Sequence, residues 1–421
     1  MGRAGDERNG RVGLALAGGG PEGAIYQIGA LRALDEVLDG LDFNDLHAYV
    51  GVSAGSFLAA NLANRLTTGQ MCRAIVKQEP GEHPFSSNKF LRPAVLELVG
   101  RGASLPRLLW EAVSDYLLDP EDKSLFDSLT RLGRALPVGV FDSRPIRRYL
   151  EQIYSIKGRT DDFRKLDKQL FVVAVDLDSG EAVRFGEPGY DHVPISRAVQ
   201  ASASLPGLYP PVEIDGRHYV DGVLKKTLHG SAALDAGAEL LICINPIVPV
   251  DTASAVQTGL MKRGKLINRG LPTVISQTFR TLIHSRLEVG LSRYEDLYNG
   301  AEVVLLEPRR DDYLMFFTNI FSFSSRRWVC EHAYQATRRE LYERREELVP
   351  LFAKRGIDLR VDVLEEDRDL WAGVGLPGLS VSVPSVPARA EAPFRTVAPD
   401  SVLADLDEAL DRLENHVLEI N

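Results

Sequence analysis

Cysteine is scarce in this chain: Cys72, Cys243 and Cys330 are the only three in 421 residues, and they lie far apart. They form no metal-ligand spacing and suggest no disulfide framework, which fits a reducing, cytoplasmic setting. Long apolar runs are also missing. No uninterrupted hydrophobic stretch reaches the roughly 20 residues that a bilayer-spanning helix needs. The first eleven residues are polar and glycine-rich, without the apolar segment of a secretory signal. They also lack the Ser or Thr that a myristoylation signal places after Gly2. Positive charge is not in excess either. A formal net charge of −10 argues against non-specific nucleic-acid binding. Apolar residues at 44% and charged residues at 26% are what a water-facing globular protein carries.

Against these absences, glycine is concentrated in two places. The first follows the apolar run Val12-Gly13-Leu14-Ala15-Leu16-Ala17, which reads as a buried parallel strand. It is Gly18-Gly19-Gly20-Pro21-Glu22-Gly23, and it leads into a helix with Ile25, Ile28, Leu31, Leu34 and Leu38 at helical spacing. Pro21 suits a first helical turn. The second is Gly51-Val52-Ser53-Ala54-Gly55, between the apolar Ala48-Tyr49-Val50 and a helix-forming run from Ser56 to Leu62. Strand, tight turn, helix is the setting in which G-x-S-x-G presents a nucleophilic serine. Gly51 and Gly55 remove the Cβ atoms that would clash in such a turn. The helix start beneath Ser53 favours developing negative charge.

Gly18, Gly20 and Gly23 also match a dinucleotide-binding G-x-G-x-x-G. The next strand, however, ends in Ser53 rather than in the acidic residue that would hold a ribose. An oxyanion hole is the favoured alternative: backbone N–H groups of a glycine turn approach a tetrahedral intermediate closely, each contributing roughly 3–4 kcal/mol to barrier lowering.

Downstream, strands are predicted at 170–175, 182–185, 212–214, 217–220, 240–244 and 301–307, and helices at 196–203, 231–236, 273–298 and 328–355. Asp215-Gly216 marks a hairpin turn, and Asp221-Gly222 ends its returning strand. This alternation argues for an α/β fold with a mainly parallel sheet. The divisions that follow are a polar tail (1–11), a catalytic domain (12–250) with a helical insertion and candidate lid (70–136), a mainly helical part (251–371), a Pro/Ser/Val-rich linker (372–399) and an amphipathic helix (400–421).

The Gly18-Gly19-Gly20 turn, the Gly51-to-Gly55 elbow, Ala201-Ser202-Ala203-Ser204-Leu205-Pro206, and Asp221-Gly222 at a strand end occur in the order of the patatin-like phospholipases, which this chain resembles from Val12 to about Pro246. The resemblance implies a three-layer α/β/α fold with a helical C-terminal extension. It implies lipid acyl hydrolysis by a Ser-Asp dyad without histidine or any metal or other cofactor: Ser53 as nucleophile, Asp221 as base, and an oxyanion hole from Gly18, Gly19, Gly20 and Ala54. Two positions depart from the family pattern. Asp221-Gly222-Val223 replaces Asp-Gly-Gly or Asp-Gly-Ala, and Glu22 stands where the family has Arg or Lys. The latter reverses a charge beside the site and disfavours an anionic phospholipid substrate. An acylglycerol lipase, a thioesterase and a non-catalytic lipid-binding scaffold are the alternatives. His229, beyond two lysines after Asp221, allows a less favoured Ser53–His229–Asp221 triad.

Two surfaces bear on partners besides the lipid or acyl-ester substrate. Leu403, Leu406, Leu410, Leu413, Val417 and Ile420 form an a/d seam that packs either on its own domain or on a second chain, as a homodimer. Aromatic residues between 313 and 328, flanked by Arg309, Arg310, Arg326 and Arg327, suit transient peripheral membrane contact, with an ordinary core helix as the competing reading.

Overall fold

The computed structural model describes residues 11–77, 138–252, 256, 266–298, 300–312 and 323–374. The polar tail up to residue 10, residues 78–137 of the expected insertion, residues 313–322 of the aromatic stretch, and the linker and C-terminal helix from residue 375 onward lie outside the described residues.

Ten strands are described: β1 (Val12–Leu16), β2 (Leu38–Asp39), β3 (Ala48–Val52), β4 (Gln169–Asp176), β5 (Ala182–Phe185), β6 (Val212–Ile214), β7 (Arg217–Asp221), β8 (Leu240–Ile244), β9 (Glu302–Leu306) and β10 (Asp358–Leu359). Eight form the main sheet in the order β6-β7-β4-β3-β1-β8-β9, with β5 also on β4. The run from β4 through β3, β1 and β8 to β9 is parallel, and β5, β6 and β7 pair antiparallel. β1, β3 and β8 are buried along their whole length, as strands covered on both faces must be.

Alternation along the strands sorts the core into two layers. Leu14, Leu16, Tyr49, Ile242 and Ile244 join a large cluster with helices α1 (Gly20–Val37) and α2 (Ala54–Ala63) and with helix Phe323–Glu343. Ala15, Ala17, Val50, Val52 and Cys243 face the other way, toward Ala232, Leu287 and Tyr294 of helices Ser231–Asp235 and Leu271–Leu297. The fold is therefore the three-layer α/β/α arrangement, with period-two side chains feeding both layers.

The structure departs from the sequence reading in places. The hydrophobic helix pattern through Leu38 ends at Val37, because Leu38 and Asp39 pair with Leu359 and Asp358. Periodicity could not show a partner so far along the chain. The helix expected at 328–355 begins at Phe323 and breaks at Arg344, whose guanidinium reaches the Leu305 carbonyl at 3.0 Å. All three cysteines are buried and free, and the thiols of Cys72 and Cys330 meet in the core. No helix among the described residues is long and apolar enough to cross a membrane.

The closest helix contact sits at Gly29 on α1. A Cβ there would lie 2.2 Å from the Cys330 carbonyl oxygen and 2.9 Å from the Ala333 Cβ. Because backbone cannot yield as a flexible side chain can, Gly29→Ala is expected to cost about 3 kcal/mol. Urea unfolding should show a lower midpoint at unchanged slope.

Candidate active site

One strand edge brings the serine and the aspartate together. β3 pairs with residues 169–173 of β4, ending with Val52 opposite Val173. β7 pairs with the next positions, Asp221 opposite Ala174 and Tyr219 opposite Asp176. β5 occupies the other edge, opposite 172–175. β3 and β7 thus approach each other along the same edge of β4 from opposite ends. The residue just past β3 is Ser53, and the last residue of β7 is Asp221. The Ser53 hydroxyl lies close enough to the Asp221 carboxyl to oppose its rise in pKa. The hairpin that returns β7 turns on Asp215 and Gly216, both at positive φ, the type I′ geometry that fits strand twist.

The elbow is tight. Ser53 has φ 53° and ψ −122°, and α2 starts at the next residue. A conformation so unfavourable for a side-chain-bearing residue persists only when its surroundings hold it. A Cβ on Gly51 would meet Ser56 Cα at 2.3 Å, and one on Gly55 would meet the Leu16 carbonyl oxygen at 2.3 Å, so α2 can press against β1 only through glycine. Hydrogen bonds clamp the rest. The Ser53 N–H donates to Ser202 Oγ at 2.8 Å, and Ser202 Oγ donates to the Val173 carbonyl at 2.6 Å. The Ser56 N–H and hydroxyl both donate to the Ser53 carbonyl. The Asp221 N–H donates to the Ser204 carbonyl at 3.0 Å. The sequence reading quoted the stretch holding Ser202 and Ser204 but gave it no task; its task is to brace both the serine and the aspartate.

Asp221 is only 2% exposed. Burial pushes its carboxyl up to about 7, against the opposing pull of the Ser53 hydroxyl and of the hydrogen bond from the Val223 N–H. His229 is buried as well, and burial pushes it down to about 3, keeping the ring neutral. The Gly222 carbonyl lies near the ring and weakly opposes the fall, and Nε2 has no partner among the described residues. The ring therefore lies beside the residue after Asp221 and joins neither Ser53 nor Asp221. His218, beside Asp221 in sequence, is exposed on β7.

The glycine turn lies against the elbow. A Cβ on Gly18 would stand 3.3 Å from Ser53 Cβ and 3.2 Å from Val223 Cγ2. α1 starts at Gly20 without a side-chain cap, and α2 starts at Ala54, also uncapped. Two helix N-termini, each with its partial positive charge, converge on Ser53. Of the four residues expected to form an oxyanion hole, Gly18 packs against Ser53 and Ala54 directly follows it at the start of α2. Gly19, Glu22, Pro246, Arg280 and Asp312 line a small cleft of about 20 Å³, room for one water molecule. Burial pushes the Glu22 carboxyl up to about 7, with Arg280 opposing the rise and Asp312 adding to it. The charge reversal noted in the sequence is thereby offset by a cation from helix Leu271–Leu297, which no local motif could reveal. The described residues hold no group of three or more His, Cys, Asp or Glu side chains able to bind a metal.

The model of the patatin-like phospholipase family matches residues 14–228, just over half of the chain. The protein belongs to the patatin-like phospholipase family. Among solved structures it is similar to VipD from Legionella pneumophila, at 15% identity and a TM-score of 0.33, covering 78% of this chain and 66% of that one. That likeness is too slight to bear on fold or chemistry.

The buried carboxyl has a consequence for stability. Asp221 titrates near 7 when folded and near 3.8 without burial, so between those values the folded chain holds a proton that the unfolded chain releases. Stability contributed at this position falls as pH rises through that window. Asp221→Asn removes the dependence. Its melting temperature should exceed wild type by several degrees at about pH 8, with the gain shrinking toward about pH 4. Differential scanning calorimetry across that range checks the slope.

Proposed function

We propose that this protein is a serine acyl-ester hydrolase acting on lipids, with Ser53 as nucleophile and Asp221 as its base. The observation that carries the reading is the sheet register that brings Ser53, just past β3, and the buried Asp221, at the end of β7, together on one edge of β4, with burial pushing the Asp221 carboxyl up to about 7. A general base is most useful when its pKa lies near the working pH. In the ionised state Asp221 takes the Ser53 proton as Oγ attacks the ester carbonyl carbon. The carbonyl oxygen becomes an anion facing the N–H groups of the Gly18–Gly20 turn and Ala54. Collapse breaks the bond to the leaving alcohol, which receives the proton from Asp221, and leaves an acyl-serine. Water then attacks the acyl carbon while Asp221 takes its proton, and Ser53 leaves reprotonated with release of the fatty acid.

His229 has no step in this scheme, which is supported by its place near the Gly222 carbonyl and its neutral, buried ring. The family membership supports lipid as the acyl source. Peripheral contact with a membrane would then bring enzyme to substrate.

Turnover of p-nitrophenyl butyrate tests the dyad. Ser53→Ala and Asp221→Asn should each lower kcat/KM by about 10⁴-fold or more, whereas His229→Ala should stay within about tenfold. Equal loss in His229→Ala would replace the dyad with a triad. In the wild type, kcat/KM should rise with pH and level off above an inflection near 7, because only ionised Asp221 accepts the proton. A fluorophosphonate probe should label wild type and leave Ser53→Ala unlabelled; an unlabelled wild type would point to a non-catalytic scaffold.

A further inference from the structure

Helix Leu271–Leu297 turns two unlike faces in opposite directions. Inward, Leu287 and Tyr294 are buried in the smaller core cluster, His284 is buried against Glu307, and Arg280 lies beside Glu22. Outward, Leu271, Ile275, Phe279, Leu282 and Val289 are exposed, Phe279 at 49% and Leu282 at 54%. Their spacing holds them on one stripe of the helix. The other exposed positions between Leu271 and Ser285 are Val274, Thr278 and Thr281, so no charged side chain is exposed over that span. A continuous apolar stripe of this extent differs from the scattered single exposures of an ordinary surface.

The stripe lies beside the proposed active site. Arg286 Nη1 donates to the carbonyl of Leu224, three residues past Asp221, at 3.0 Å, and Leu224 is itself exposed. One turn and a half earlier, Arg280 faces Glu22 next to the glycine turn. The helix thus touches both the aspartate side and the oxyanion side of the site. Its charge balance differs from that of the chain, with Arg280, Arg286 and Arg293 matching Glu288, Glu295 and Asp296. The protein carries a net −10, yet Arg286 and Arg293 are exposed on this helix. Among its described exposed side chains the carboxylate is Glu288, which is paired with Arg310.

We propose that this outward face docks the protein on a lipid bilayer. The apolar stripe enters the acyl boundary, and Arg286 and Arg293, exposed on the helix, meet headgroup phosphates. The proposal rests on the lipid-hydrolase reading above and says how that site reaches its substrate. It also shifts the expected contact surface. In the stretch at 313–328, where the sequence allowed either membrane contact or an ordinary core helix, residues 313–322 lie outside the described residues and Arg326 and Trp328 are buried.

Co-sedimentation of the full chain with vesicles of phosphatidylcholine and phosphatidylglycerol tests the surface. Wild type should sediment, and the double variant Phe279→Ser/Leu282→Ser should partition about tenfold more weakly while its p-nitrophenyl butyrate turnover stays unchanged. Should that variant lose its fold, an environment-sensitive dye on Phe279→Cys is the second reporter. A blue shift on adding vesicles is expected, and unchanged emission overturns the proposal. Equal sedimentation of wild type and double variant also overturns it. So does a wild type that is dimeric by light scattering, ignores vesicles and becomes monomeric in the variant, since the stripe then belongs to a second copy. A wild type that turns over the soluble ester but never sediments defeats the docking surface alone. One that sediments but hydrolyses nothing defeats the hydrolase reading instead.

Discussion

The site depends on a single edge of a single strand. β4 offers residues 169–173 to β3 and residues 174–176 to β7, and because those strands arrive from opposite directions their ends must meet. The register leaves little freedom: a slip of one residue in β7 would send Asp221 to the other face of the sheet and away from Ser53. The bracing around this junction follows from that demand. Ser202 ties the Ser53 N–H to the Val173 carbonyl on β4, and Ser204 ties down the Asp221 N–H. The strain of a serine at φ 53° is carried by these bonds and by α2 packed against β1 through Gly55.

Burial shapes the electrostatics of the same junction. Two carboxyls, Asp221 and Glu22, are raised to about 7 by loss of water, yet their surroundings differ. Asp221 has an uncharged hydroxyl and an amide beside it, which suits a group that must gain and lose a proton. Glu22 has a guanidinium nearby in Arg280, so its charge is offset within the protein. A neutral, buried His229 near the Gly222 carbonyl adds no charge to this balance. The uncapped N-termini of α1 and α2 add partial positive charge near Ser53.

Helix Leu271–Leu297 joins these parts to the outside. Its buried side closes the smaller core layer and supplies Arg280, and its other side is apolar and exposed beside Leu224.

Much of this was readable from local sequence. Continuous apolar runs such as Val12–Leu16 and Leu240–Ile244 identify buried parallel strands because only strands covered on both faces lack alternation. The glycines at 51 and 55 identify the elbow because the turn excludes a Cβ, and Asp215-Gly216 identifies the hairpin because its turn requires positive φ. These are constraints within a few residues, and sequence states them directly. What tertiary structure alone decided is which distant groups meet. The clamp from Ser202, the approach of Arg280 to Glu22, the pairing of β2 with β10 and the turning of His229 toward Gly222 each join segments whose separation is set by sheet register and layer packing. Residue type and spacing carry no distance across such gaps. Burial, which moves Asp221, Glu22 and His229 from their ordinary protonation behaviour, exists only once the layers have closed over them.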